Sequence, residues 1–264
     1  MQVLFCLLMF VFGAGLGSFL CCQVRRLRRH EKHQKSLGPR SVCLHCGKKL
    51  RWYENIPLIS WCLQKGKCRH CGKKIGLAEI LAELSAAVAL ATLATRVNVH
   101  TATPLEWGIF AATVIFTLIL LFLAIYDGLY GELPTVFLTI SIICAIIIAA
   151  LKVWASFSNL HPPYSQFSWS LILEPLGSAL LLGGLYLVLY LVSRGRWVGD
   201  GDWLLATAIG LALGRPFAAL VALFAANFAA CLISAPSAIK RHSHQIYFGP
   251  FLVLGYLLGA FFMN

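Results

Sequence analysis

Apolar residues form long runs, separated by short polar segments, along nearly the whole chain. Most of these runs reach the roughly 20 residues that an α-helix needs to cross the hydrocarbon layer of a membrane. The pattern predicts about eight membrane-spanning helices, at residues 2–24, 78–97, 105–126, 133–151, 170–192, 202–214, 216–235 and 247–263. The sixth is short, and only the helix-stopping tripeptide Gly214-Arg215-Pro216 separates it from the seventh. The predicted fold class is therefore an all-α polytopic membrane protein.

The composition agrees with that fold class. Of the 264 residues, 59% are hydrophobic and 12% are charged, which is too apolar for a soluble domain of this size. The net charge of +12 would suit either nucleic acid or a membrane surface as a partner. Because 15 of the 22 Lys and Arg lie between Arg25 and Lys74, directly after the first span, we expect contact with anionic lipid head groups and no nucleic acid.

The same charges predict the orientation in the membrane. Loops rich in Lys and Arg stay in the cytosol, so we expect the N-terminus outside and the segment after the first span inside. Alternating from there, cytosolic segments hold 19 basic residues and outer segments hold three, Arg96, Lys152 and Arg215. No basic segment precedes the first apolar run, so we interpret it as a retained anchor. The predicted divisions are a first span at 1–24, a cytosolic insertion at 25–77 and a transmembrane domain at 78–264.

Four of the ten cysteines form two CxxC pairs in the cytosolic insertion. Two residues between thiolates let both sulfurs of one turn face a single metal ion. The reducing cytosol disfavours disulfides, whereas an iron–sulfur cluster is compatible with the same spacing. We expect a structural zinc ion, because four protein ligands leave no position for water, and the predicted ligands are Cys43, Cys46, Cys68 and Cys71.

The chain contains only three aspartates, Asp127, Asp200 and Asp202, all at predicted cytosolic ends of spans. An ionisable group at membrane depth is a functional candidate, because burying its charge is costly. Two carboxyl groups can hydrolyse an amide without a metal: one takes a proton from water, and the other, protonated, donates a hydrogen bond to the scissile carbonyl. We expect Asp127 and Asp202 to form this pair, because Asp200 would point to a different side of a nascent helix.

Residues beside the two acids suit an extended peptide. Gly199 and Gly201 give the backbone freedom near Asp202, and Pro134 opens the helix after Asp127, so we expect all three near the substrate. Other roles stay open for the acids, namely Asp202 as the N-cap of the sixth helix and Asp127 as an interfacial residue. A zinc-containing membrane scaffold, or a transporter with the acids in its ion path, also stays open.

These motifs resemble those of the type IV prepilin leader peptidases, bifunctional inner-membrane enzymes of pilus, type II secretion and competence systems. GLGSFL at 15–20 is similar to the family's opening motif, and residues 41–75 are similar to its cysteine-bearing domain. Asp127 followed by Leu133-Pro134 is similar to the first catalytic motif, GDGDWLL at 199–205 to the second, and FGPFL at 248–252 to the closing motif.

The resemblance implies that Asp127 and Asp202 are the aspartyl dyad of a GxGD intramembrane-type protease. Such an enzyme cuts the basic leader from a prepilin or pseudopilin on the cytosolic side and then methylates the new N-terminus with S-adenosylmethionine. No S-adenosylmethionine motif is visible in the sequence, so the site of that cofactor is not predicted. We expect lipid head groups or acidic residues to attract the basic leader, the candidate acids being Glu54, Glu79, Glu83 and Glu132.

A few positions depart from the family pattern. Leu204 stands where the family commonly has a lysine, and Thr135 stands where it commonly has an aspartate. None of these departures removes a predicted catalytic group. They leave a leader peptidase without methyltransferase activity as an alternative.

Overall fold

The computed structural model describes residues 1–32, 41–43, 45–158, 169–241 and 247–261. Within these ranges the regular structure is helical, apart from two isolated β-bridges near the cysteines. A 3-10 turn lies at Trp52–Asn55. A π-helical turn at Leu180–Gly184 joins the helix Ser170–Ala179 to the helix Leu185–Ser193. The helices are α1 (Gln2–Glu31), α2 (Ile59–Leu63), α3 (Leu77–Ala94), α4 (Pro104–Tyr130), α5 (Thr135–Ser158), α6 (Ser170–Ala179), α7 (Leu185–Ser193), α8 (Asp202–Leu213), α9 (Pro216–Arg241) and α10 (Gly249–Phe261).

Six helical segments of the described chain are long and apolar enough to cross a membrane. They are α1, α3, α4, α5, the continuous segment Ser170–Ser193 and the first part of α9. The two remaining predicted stretches contain α8 and α10, which have 12 and 13 residues and are shorter than a full span of roughly 20. The all-helical, multi-pass fold is therefore confirmed, whereas the number of eight crossings stays a prediction.

The ends of α1 and α4 follow from local sequence. The first helix continues beyond its apolar part to Glu31, because arginine is a good helix former and its charge is favourable near a helix C-terminus. At the start of α4, Thr103 and Glu106 form a capping box. At its end, Gly131 adopts the left-handed conformation with φ of 69°, which stops the helix four residues after Asp127.

The chain divides into two compact units, Met1–Thr95 and Arg96–Asn264. In the first unit α1 packs closely on α3, since a side chain at Gly13 would come within 2.5 Å of the Ala86 carbonyl oxygen. In the second unit α8 packs against α5 and against the π-helical turn, where Gly183 touches Thr207. Helix α10 packs against α4 and α9. These contacts place α10 beside α4, which carries Asp127, and place α8 beside α5 and α10.

Candidate active site and metal centre

Asp127 lies in the last turn of α4, and only 5% of its surface is exposed. Its Oδ2 accepts a hydrogen bond from the backbone N–H of Gly249, the first residue of α10, at 2.8 Å. A Cβ atom at position 249 would lie 2.8 Å from that same oxygen, so this approach requires glycine. The FGPFL motif therefore places a backbone donor on the Asp127 carboxylate.

Asp202 is the first residue of α8, and it is also buried. Its Oδ2 accepts a hydrogen bond from the backbone N–H of Gly199 at 2.9 Å. The N-cap residue of α8 is Gly201, without a side-chain cap, so the alternative role of Asp202 as the N-cap is wrong. Asp200 is exposed, so of the two aspartates in the Gly199–Asp202 turn only Asp202 is buried.

The loop after Asp127 meets the loop before Asp202. A Cβ atom at Gly201 would lie 2.8 Å from Cδ1 and 2.9 Å from Cβ of Leu133. Pro134 is half-buried beside Leu133, and its carbonyl accepts hydrogen bonds from the first turn of α5. The carboxyl groups of Asp127 and Asp202 are close enough to interact electrostatically. The tertiary structure thus brings together two acids that are 75 positions apart in the sequence, 127 and 202.

Tyr186 of α7 is a neighbour of this site that sequence reasoning missed. It is buried, and its hydroxyl accepts a hydrogen bond from Asn227 Nδ2 at 3.0 Å and lies within electrostatic range of Asp202. Its ring packs on Phe248, with the ring centroids 5.4 Å apart. A tyrosine inside an apolar run is ordinarily part of the core. The partners of Tyr186, Asn227 and Phe248, are distant from it in the sequence. No local pattern could have identified it.

The four predicted metal ligands cluster in the first unit. Their sulfur atoms all lie within 4.8 Å of one another, and those of Cys43 and Cys71 are 3.9 Å apart. Zinc bonded tetrahedrally at about 2.3 Å separates its sulfur ligands by roughly 3.8 Å, so the cluster fits such an ion. The clustering of Cys43, Cys46, Cys68 and Cys71 is confirmed.

The two CxxC turns have the same backbone structure. In each, the N–H of the first cysteine donates to a lysine carbonyl, Lys48 or Lys73, at 2.9 Å. The following glycine donates to the carbonyl of that cysteine, also at 2.9 Å, with φ of 68° at Gly47 and 67° at Gly72. The repeated sequence CxHCGKK therefore folds as two matched knuckles, and the glycines allow the left-handed conformation at each.

The crowding of the four thiols changes the acidity of Cys71. The backbone amide of Lys73 lowers the pKa of Cys71, but desolvation and the thiols of its three neighbours together raise it to about 11. Without a metal ion Cys71 therefore holds its proton at neutral pH, and a bound metal ion has to displace it.

A cavity of about 530 Å³ lies beside the knuckles within the first unit. Next to it, Arg25 of α1 forms an ion pair with Glu79 of α3. Two other acids of this unit accept backbone hydrogen bonds, Glu54 from Arg51 N–H at 2.9 Å and Glu83 from Leu58 N–H at 2.8 Å. Three acids expected to attract a basic leader, Glu54, Glu79 and Glu83, thus already have partners inside the unit.

Comparison with known proteins gives the family. Residues 11–97 match the Bacterial Peptidase A24 N-terminal domain. The chain is 31% identical to the prepilin leader peptidase/N-methyltransferase of Dichelobacter nodosus over 85% of this chain and 73% of that protein. It is 27% identical to the protein of the same name from Aeromonas salmonicida over 94% of this chain and 87% of that protein. No solved structure matches the chain. The chain belongs to the prepilin leader peptidase/N-methyltransferase family.

Proposed function

We propose that this protein is a membrane-embedded aspartic peptidase that removes the leader of prepilin-like proteins and then methylates the new N-terminus. Membership of the family supports this reaction. The observation that carries the mechanism is the electrostatic proximity of two buried carboxyl groups, Asp127 and Asp202, at helix ends whose adjoining loops touch each other.

One oxygen of each carboxyl group accepts a backbone hydrogen bond, from Gly249 N–H at Asp127 and from Gly199 N–H at Asp202. These bonds orient the side chains and leave Oδ1 of each for a proton or a water molecule. Two neighbouring carboxyl groups repel as anions, so they favour sharing one proton. This state contains both the base and the acid that amide hydrolysis needs.

The ionised carboxylate takes a proton from a water molecule, whose oxygen forms a bond to the carbonyl carbon of the scissile peptide. The protonated carboxyl group donates a hydrogen bond to the carbonyl oxygen, which gains negative charge as that bond forms. The C–N bond then breaks, and the leaving amine takes up a proton from the dyad. We assign Gly199, Gly201 and Pro134 to the border of the peptide-binding groove.

The metal bound by the four cysteines is proposed to be a structural Zn²⁺ ion. Four cysteine ligands, the geometry of the knuckles and sulfur atoms that all lie within 4.8 Å of one another support this assignment. The four cysteines hold the ion, and the ion joins the two CxxC turns into one folded segment. The peptidase chemistry does not pass through it.

We assign S-adenosylmethionine to the cavity in the first unit. Its volume of about 530 Å³ lies in the range of small-molecule sites, 300–1,000 Å³. Apolar Phe19 and polar Asn55 and Gln64 line it, together with the Arg25–Glu79 ion pair. The apolar side chain suits the flat base of the cofactor, and the polar and charged side chains suit its zwitterionic end. When bound, S-adenosylmethionine supplies a methyl group that an amine can accept.

The proposed orientation puts the cysteine knuckles and both aspartates on the cytosolic side of the bacterial inner membrane. The excess of Lys and Arg between Arg25 and Lys74 supports this placement. The short helices α8 and α10 complete the proposed set of eight membrane helices. In this arrangement the basic leader of the substrate stays in the cytosol.

A peptide assay with a mass readout tests the function. Purified protein is incubated with a prepilin-type peptide and S-adenosylmethionine, and the products are weighed. We expect cleavage and a gain of one methyl group. Asp127→Asn and Asp202→Asn should each abolish cleavage, whereas exposed Asp200→Asn should retain it.

The alternatives give different products. A scaffold or a transporter yields no shortened peptide, and a peptidase without methyltransferase activity yields a free, unmethylated amine. Full cleavage by Asp202→Asn would refute the assignment of the dyad.

A further inference from the structure

Three basic side chains converge in the second unit at the end opposite the aspartates. Arg96 precedes α4, Lys152 lies near the C-terminal end of α5, and Arg215 follows α8. The charge of Lys152 interacts with those of both Arg96 and Arg215. Helix α8, with 12 residues, separates Asp202 from this cluster by about 18 Å at 1.5 Å per residue. The basic cluster is therefore distinct from the aspartyl site.

Two of the three side chains are partly withdrawn from solvent. The Nε and Nη2 atoms of Arg96 are buried, with no hydrogen-bond partner in the described part of the chain. Lys152 is half-buried, and its Nζ donates a hydrogen bond at 2.7 Å to the carbonyl oxygen of Ala212, near the C-terminus of α8. Arg215 is exposed at the edge of the cluster.

Within the described residues, neither Arg96 nor Lys152 forms an ion pair with a carboxylate. Glu106, at the start of α4, is used in its own capping box, where it accepts a hydrogen bond from Thr103 N–H at 2.7 Å. The sequence from 159 to 168, which follows α5, contains no Asp or Glu.

A helix C-terminus alone does not balance these charges. It carries about half a negative charge, which offsets part of one ammonium group. Within the described residues the charges of Arg96 and Lys152 remain largely uncompensated, and the buried Nε and Nη2 atoms of Arg96 still lack an acceptor. The cluster therefore lacks an anion with several oxygen acceptors.

We propose that this cluster binds a phosphate group, with Arg96 and Lys152 as its ligands and Arg215 at its edge. Phosphate oxygens match the planar fork of a guanidinium, and an ammonium adds a compact charge. The group can belong to the head group of an anionic phospholipid or to free inorganic phosphate. The ends of membrane helices lie at the depth of lipid head groups, so a phospholipid is accessible to this position.

The full-length protein, purified in a phosphate-free maltoside detergent, tests the proposal in two arms. One arm titrates phosphatidylglycerol and counts bound lipid by native mass spectrometry. The other titrates inorganic phosphate and follows the midpoint of thermal unfolding. The variants are Arg96→Gln and Arg215→Gln, with Arg194→Gln, an exposed residue after α7, as the matched control.

We expect saturable binding that Arg96→Gln weakens at least tenfold and that Arg194→Gln changes less than twofold. Because Arg215 is exposed, Arg215→Gln should fold normally and weaken binding several-fold even if Arg96→Gln fails to fold. Saturation by phosphatidylglycerol alone identifies a lipid head group, whereas saturation by inorganic phosphate identifies the free anion. The proposal is overturned if the wild-type protein binds neither phosphatidylglycerol nor inorganic phosphate. It is also overturned if the wild-type protein, Arg96→Gln and Arg215→Gln bind equally well.

Discussion

Leu133 lies directly against Gly201, which has no side chain to hold the two residues apart. Leu133 belongs to the loop that follows Asp127, and Gly201 directly precedes Asp202. The contact therefore joins the segments that carry the two acids. The separation of the Asp127 and Asp202 carboxyl groups therefore depends on Gly201, which has no side chain to take part in the chemistry.

Replacement of Gly201 by alanine should reduce cleavage while leaving the protein folded. The added methyl group would meet Leu133 at 2.8 Å and Leu138 at 3.1 Å, so the two loops have to move apart. Because a displacement of 1 Å can cost about a hundredfold in rate, we expect a loss of tenfold or more in kcat/KM for a leader peptide. Gly108→Ala is the control, since no atom lies within 4 Å of its added Cβ. Equal rates for the two variants would contradict this role of the contact.

Tyr186→Phe should lower the rate of cleavage without unfolding the protein. The variant keeps the ring that packs on Phe248 but loses the hydroxyl that joins Asn227 to the surroundings of Asp202. We expect a three- to tenfold fall in kcat with little change in KM, because a neutral hydrogen bond contributes about 1 kcal/mol. Tyr190→Phe, on the same helix, provides the comparison, and unchanged kcat in Tyr186→Phe would remove Tyr186 from the site.

Replacement of a knuckle cysteine should release the metal. Cys71→Ser removes one of four sulfurs that lie within 4.8 Å of one another. Elemental analysis should find about one zinc ion per wild-type chain and at least tenfold less in the variant. Cys62→Ser should retain the metal, because Cys62 lies in α2 outside the cluster. Zinc content that is the same in both variants would exclude the proposed ligand set.

Glu83→Ala should destabilise the first unit more than Glu83→Gln does. The buried carboxylate of Glu83 accepts the N–H of Leu58, and alanine would leave that donor without its partner. The expected cost is about 1–3 kcal/mol for alanine and less for glutamine, which keeps an oxygen acceptor. Chemical denaturation in detergent measures both, with the exposed Glu31→Ala as the reference. Equal losses in the two Glu83 variants would indicate that the hydrogen bond is unimportant.

Much of the molecule follows from patterns that are local in sequence. Runs of apolar residues predicted the helices, because an α-helix in lipid has to satisfy its backbone internally and bury an apolar surface of fixed length. The two CxxC pairs predicted the cysteine cluster, because each turn orients its own sulfurs. The helix α1 continues to Glu31, beyond the predicted apolar span at 2–24, since hydropathy does not register a basic helical turn.

The sequence alone determined that the chain is a helical membrane protein, that its four cysteines suit one metal ion, and that few acids are available for chemistry. Only the tertiary structure decided which groups surround those acids. Gly249 reaches Asp127, Leu133 reaches Gly201, and Tyr186 approaches Asp202 through packing between helices that are distant in the sequence. Hydropathy fixes which residues enter a helix, but the close fit of small residues and side chains between helices fixes which of them meet.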